Sequence, residues 1–175
     1  CGALVVMTNR WRPHTSEKLF LADIQLKEWQ GCSAEVSNHF KPQEESLKQS
    51  TILLIHTAWE GFLNELAEYH QQRSDVILTL DQLIQLVGSD IPEVAYLAEL
   101  KKSDGSWLSD LLRANQLIRL PQNRESSNSE SQLAENALIA TSGTRVMVDS
   151  IGNVSRILGE FKAYLDALRS RMSEW

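Results

Sequence analysis

TILLIHTAWEGFLNELAEYH, residues 51–70, decides the fold. Ile52, Ile55, Trp59, Phe62, Leu66 and Tyr69 recur at spacings of three and four, which lays one apolar stripe along an α-helix. Leu53, Leu54, Ala58 and Leu63 widen the stripe until the segment is apolar over most of its girth. Such a helix must be covered on several sides, so it belongs in the middle of a bundle.

The 175 residues around it are enough for one domain with a sizeable core. Net charge is −6. That balance opposes an extensive nucleic-acid surface, which needs a basic face, and Lys101–Lys102 is the only adjacent basic pair. No apolar run approaches the ~18 residues that a membrane span requires. The two cysteines, Cys1 and Cys32, form no CxxC spacing and no disulfide framework, which points to a reduced, cytoplasmic protein. Cys1-Gly2 at the start admits an alternative, a lipid anchor on Cys1; the preferred reading takes 1–6 as extraneous and Met7 as the natural start.

Outward from the central helix, the first helix is expected at about 15–38, after Pro13, with Thr15 or Ser16 as its cap and Leu19, Ala22, Leu26, Trp29, Val36 and Phe40 on one face. The second runs from about 43 to 73 behind Pro42, its first turn acidic at Glu44 and Glu45. Thr79 with Gln82 has capping-box spacing and opens a short helix to Gly88. Asp90 with Glu93 repeats that spacing, with Pro92 in the first turn, and opens another to about 102. Ser103-Asp104-Gly105 reads as a turn before a helix at Trp107–Leu120, which Pro121 stops. The polar run to 131 reads as a mobile loop, and 136–148 as a short hairpin or as irregular chain.

The last helix carries Ile151, Val154, Leu158, Phe161, Leu165, Leu168 and Met172 as an unbroken seam. A stripe of small residues lies beside it: Gly152, Ser155, Gly159, Ala163, Ala167 and Ser170. Its plainer reading is close packing inside the bundle; its sharper one is a homodimer seam with Ile157 and Tyr164 as apolar anchors. The sum is an all-α chain: residues 1–14 a tail, 15–175 one bundle of five to six helices, three of them long, with the mobile loop at about 121–131.

Chemistry is sparse in this pattern. His56 and Glu60 lie one turn apart on one helix face, and His70 follows Glu68 further along. The residues three before the four histidines are Trp11, Val36, Leu53 and Ala67, so the Glu-x-x-His pairs of di-iron bundles are absent. No metal and no cofactor is expected. Cys32, inside helix one near its apolar face, reads as an inert small core residue.

At Trp59-Glu60-Gly61-Phe62, an aromatic-Glu-Gly-aromatic tetrad after an aliphatic run, the chain resembles the HEPN superfamily of helical bundles. In outline it also resembles a small proteobacterial family of unknown function, through Glu17-Lys18-Leu19-Phe20-Leu21-Ala22, then Trp29, the central helix and an ending near Ser173-Glu174-Trp175. The HEPN resemblance implies a helical bundle, often dimeric, and in active members a ribonuclease or toxin built on an Arg and a His with four to six residues between them. No such pair stands before His39, His56 or His70, and Arg10 and Arg12 are too close to His14. The expected function is therefore a non-catalytic interaction module, an adaptor or regulatory subunit whose partner is a protein or a second copy. The alternative is a HEPN-type enzyme acting on RNA or nucleotides through a non-standard site, with His56, Glu60 and Arg73 as its candidate residues. A nuclease calls for an accessible His56 beside a basic group; an adaptor calls for a buried or paired one.

Overall fold

Asn9 starts the first helix, six residues earlier than the Thr15 cap that the sequence suggests. Its side-chain oxygen accepts from the backbone N–H groups of Trp11 and Arg12 (3.1 and 3.2 Å), so α1 runs Trp11–Ala34 with Pro13 inside its first turn. Thr15 is buried instead, and its hydroxyl donates to the Trp11 carbonyl at 2.9 Å. The computed structural model describes residues 9–35, 41–121 and 147–173. Val36, Phe40, nearly all of the polar loop at 121–131 and most of the hairpin candidate at 136–148 therefore lie outside the described residues.

Among those residues the chain is all helix: α1, α2 (Lys41–Tyr69), α3 (Leu80–Val87), α4 (Pro92–Lys102), α5 (Trp107–Arg119) and α6 (Ile151–Ser173). The second ends at Tyr69 and not near 73. Gln71 takes φ 62°, its N–H donates to the Glu68 carbonyl, and the Gln72 N–H reaches back to that of Ala67. That is a Schellman stop made with Gln where Gly is usual. Thr79 and Gln82 do form the reciprocal capping box of α3, and Ser106 caps α5. Asp90 does not cap α4: Ile91 takes that place with no side-chain hydrogen bond, leaving Pro92 to start the helix.

Arg10 of the first helix's entry binds Glu68 near the end of α2, while Trp29 donates to Glu44 near its start (3.4 Å). The two helices are thus antiparallel. Lys162 and Arg169 of α6 meet Asp23 and Ser16 of α1, so α6 runs antiparallel to α1 and parallel to α2. Gly61 sets the approach of the first pair. A Cβ there would stand 2.9 Å from Thr15 Oγ1 and 3.0 Å from His14 Cδ2, and Thr15 is held by its own hydrogen bond. The tetrad glycine is therefore a packing requirement.

Trp59 lies at the centre of the aromatic core. Its ring stands 6.0 Å from those of Phe62 and Trp107 and 6.4 Å from Phe161, and Trp107 stacks on Phe161 at 4.7 Å. Leu53 and Tyr69, assigned by spacing to the buried stripe, instead face solvent at its margins. The two glycines of the small-residue stripe of α6 are not packed against another described element: nothing among the described residues lies within 4 Å of a Cβ built at Gly152 or Gly159. Ile157 and Tyr164 are drawn inward, Ile157 fully buried and Tyr164 against Phe62 and Trp107, so neither is free as a dimer anchor. No helix among the described residues is long and apolar enough to cross a membrane.

Trp59→Ala should lower stability by about 3–5 kcal/mol, the usual cost of truncating a buried aromatic. Chemical denaturation measures it, and a loss below about 1 kcal/mol would mean that α2 is not the central element.

Candidate functional site

His56 and Glu60 share one face of α2 because one helical turn separates them, and the structure joins them: His56 Nδ1 lies 3.2 Å from Glu60 Oε1. Trp59 and Leu63, the core residues of the same stretch, floor a cleft of about 200 Å³ beside the pair. Thr79 and Leu80 at the start of α3 form one wall, and Lys101 of α4 and Leu112 of α5 the other. The imidazole is mostly buried, its side chain 16% exposed.

Burial dominates its ionisation and pushes the His56 pKa down; the Glu60 carboxylate opposes that, and the Arg119 guanidinium adds to it. The net direction leaves a neutral ring at neutral pH, which donates its Nδ1 proton to Glu60 and is thereby held in one tautomer. An oriented neutral imidazole can in principle accept a proton from a bound group. Lys101 lines the same cleft as the pair.

Arg73, the third candidate of the enzymatic reading, is not brought to this cleft. It is exposed, beyond the end of α2, and Tyr69 alone is already thirteen residues, or ~20 Å of helical rise, from His56. His70 and Glu68 do not pair either: Glu68 takes the backbone N–H and the guanidinium of Arg10, and His70 packs edge-on against Tyr69. Among the described residues no cluster of three or more His, Cys, Asp or Glu side chains could hold a metal ion.

Two features escaped the sequence reading. Asn64, buried in α2, clamps the connection to α3: its amide donates to the Val76 carbonyl at 2.7 Å and accepts from the Leu78 N–H at 3.0 Å. The clamp fixes the backbone on either side of Val76 and Ile77, whose side chains project outward, 65% and 58% exposed. The other is a cavity of about 360 Å³ between the start of α4 and the end of α6, lined by Pro92, Glu93, Tyr96, Tyr164 and Arg171. The Asn64 clamp had one visible signal, a lone Asn inside an apolar helix; the cavity had none, because its walls are about 70 residues apart.

The model of DUF6586, a family of unknown function, matches residues 7–175. No curated protein and no solved structure matches the chain.

Titration of the imidazole by NMR should place His56 below the ~6.5 of a free histidine, and Glu60→Gln should lower it further by removing the stabilising carboxylate. Because the folded value is the depressed one, the unfolded chain binds the proton first. Stability should therefore fall as pH drops below ~6.5, and His56→Gln should flatten that part of the profile.

Proposed function

The chain belongs to DUF6586, a family of unknown function, and we propose that it is a non-catalytic helical interaction module, an adaptor or regulatory subunit of HEPN-like architecture. The observation that carries this reading is the pair Val76 and Ile77. Exposed aliphatic side chains on a free loop would lose much of their gain to ordering, at ~0.5–1.5 kcal/mol for each side chain immobilised. Here a buried Asn64 has ordered the backbone in advance, so the two side chains are presented in a fixed geometry. The tetrad Trp59-Glu60-Gly61-Phe62 supports the architectural part, and the composition a cytoplasmic setting.

The partner favoured by this surface is a different protein. A homodimer through α6 would rest on Gly152, Gly159, Ala163 and Ala167, which bury little apolar area now that Ile157 and Tyr164 are taken by the core. One observation favours a second reading, an enzyme acting on RNA or nucleotides: His56 and Glu60 share their cleft with Lys101. Against it stand the neutral, paired imidazole and the distance of Arg73.

Two measurements separate the readings. Tagged protein recovered from the native cell should bring down specific partner chains, and Val76→Asp combined with Ile77→Asp should lose them while circular dichroism and melting stay as in the parent. Unchanged capture by the double variant would remove this surface from the proposal. Purified protein should leave RNA intact; cleavage that persists through purification and disappears in His56→Ala would establish the enzymatic reading instead.

A further inference from the structure

Helix α1 carries a second stripe that its place in the bundle does not use. Thr15, Leu19, Ala22, Leu26 and Trp29 are buried and face the core. At about 100° per residue, six other positions lie nearly opposite them. They are Pro13, Glu17, Phe20, Ile24, Lys27 and Gly31, all exposed and spaced alternately four and three apart, the spacing of a coiled-coil seam. Phe20 is 64% exposed and Ile24 41%, with no described element covering them. Two exposed apolar side chains are ordinary on a surface. Their flanks give these two a meaning, because the six positions are complementary to their own inversion.

Set antiparallel against a second copy, the seam brings Phe20 to the partner's Ile24, Glu17 to the partner's Lys27 and Pro13 to the partner's Gly31, and each contact occurs twice. A parallel pair would oppose Glu17 to Glu17 and Lys27 to Lys27. An antiparallel pair displaced by one heptad would set Phe20 against Glu17, or Ile24 against Lys27. One register therefore joins apolar to apolar and opposite charge to opposite charge, and like charges oppose the parallel alternative. The charged groups are free to take part. Lys27 holds Asp23 of its own helix at 2.9 Å, but Asp23 also has Lys162 of α6 at 3.6 Å, so Lys27 can turn outward without leaving it alone. Glu17 has Lys18 beside it at 3.7 Å, and its side chain is well exposed. Nothing described lies within 4 Å of a Cβ built at Gly31, so the end of the seam admits a close approach.

We propose that this face of α1 is the interface of a homodimer, in which two copies pack their first helices antiparallel about a twofold axis. Such a contact is isologous and closes on itself, so it stops at two chains. From position 13 to 31 the seam is ~27 Å long. A single helix pair of that length falls at or below the ~1,200 Å² that begins the standard interface range, so the dimer is a weak one, formed between micromolar and millimolar concentration. It shares no residue with the Val76–Ile77 surface or with the small-residue stripe of α6, and it stands or fails apart from both.

Sedimentation of the full chain from micromolar to millimolar concentration tests this. A monomer–dimer equilibrium is expected, weaker at high salt because the charge pairs are exposed. Phe20→Gln combined with Ile24→Gln should abolish it and leave the melting temperature in dilute solution unchanged. Glu17→Lys and Lys27→Glu should each weaken self-association about tenfold, since each turns two attractive contacts into repulsive ones. An equimolar mixture of these two single variants should associate at least about tenfold more tightly than either alone, because every lysine of one chain then meets a glutamate of the other. A chain that stays monomeric at millimolar concentration overturns the proposal. So does a dimer that keeps its strength in the double glutamine variant, or a mixture that associates no better than its components. A double glutamine variant that melts lower in dilute solution overturns it as well, since the stripe would then be covered within the single chain.

Discussion

One guanidinium holds the three long helices in register. Arg169 of α6 grips both carboxylate oxygens of Glu65 on α2, through Nε and Nη2 at 2.8 Å each. Its Nη1 donates to Ser16 Oγ at 2.9 Å and Nη2 also to the Arg12 carbonyl at 3.2 Å, both on α1. The Glu65 side chain is 7% exposed and that of Arg169 14%. A carboxylate so far from water is tolerated only while its partner is in place, and breaking such a pair from one side costs ~3–5 kcal/mol. The position of α6 along the α1–α2 pair is therefore tightly constrained. A shift by one turn, ~5.4 Å, would leave a buried charge without its counterpart.

That constraint decides which face of α6 turns inward. With Arg169 aimed at Glu65, the seam Val154, Leu158, Phe161, Leu165 and Leu168 meets the core, and Phe161 comes against Trp107 and Trp59. Ile157 and Tyr164 follow it inward, and the small residues are left outside. A second network acts at the other end of α6: Asp110 of α5, itself buried, receives Arg156, and Asn153 bridges the Asp110 carboxylate to the Val148 carbonyl. Apolar packing supplies most of the attraction in this bundle, but the polar anchors choose one of several packings with similar apolar burial.

The helices were legible because periodicity is local. The stripe of α2, the seam of α6, the capping box at Thr79 and Gln82 and the turn at Ser103–Gly105 all rest on residues within one or two turns of each other. What was missed depends on unusual local chemistry or on distance. The start of α1 is set by Asn9, two residues ahead of the first helical one, with Pro13 allowed inside the first turn. The end of α2 uses Gln71 in a left-handed conformation that sequence pattern assigns to Gly or Asn. Leu53 and Tyr69 fit the apolar stripe by spacing, but no other described element covers them, and spacing cannot report the extent of a neighbour. Of the candidate site, the His56–Glu60 pair was readable from one turn of helix, while Lys101 and the departure of Arg73 were not, since both depend on where other segments lie. The Glu65–Arg169 pair spans 104 residues and has no pattern to announce it.

Helix α4 connects the two cavities. Its first turn, with Pro92, Glu93 and Tyr96, walls the space beside Tyr164, and Lys101 at its other end walls the cleft of His56. Eleven residues make ~16 Å of helix, so a single short rod borders both. Val94 and Leu97, each fully buried, fix it to the core one turn apart, and no side chain caps its start. The walls of both cavities thus depend on the same apolar contacts, which Ile91 and Leu100 extend at the two ends. A helix held by packing at its middle, with polar groups at both ends, can present those groups accurately only if the core beneath does not shift. In this chain that core is the stacked set of Trp59, Trp107 and Phe161, aligned by the Arg169 grip on Glu65. The geometry of both cavity walls is in that sense a consequence of the buried ion pair.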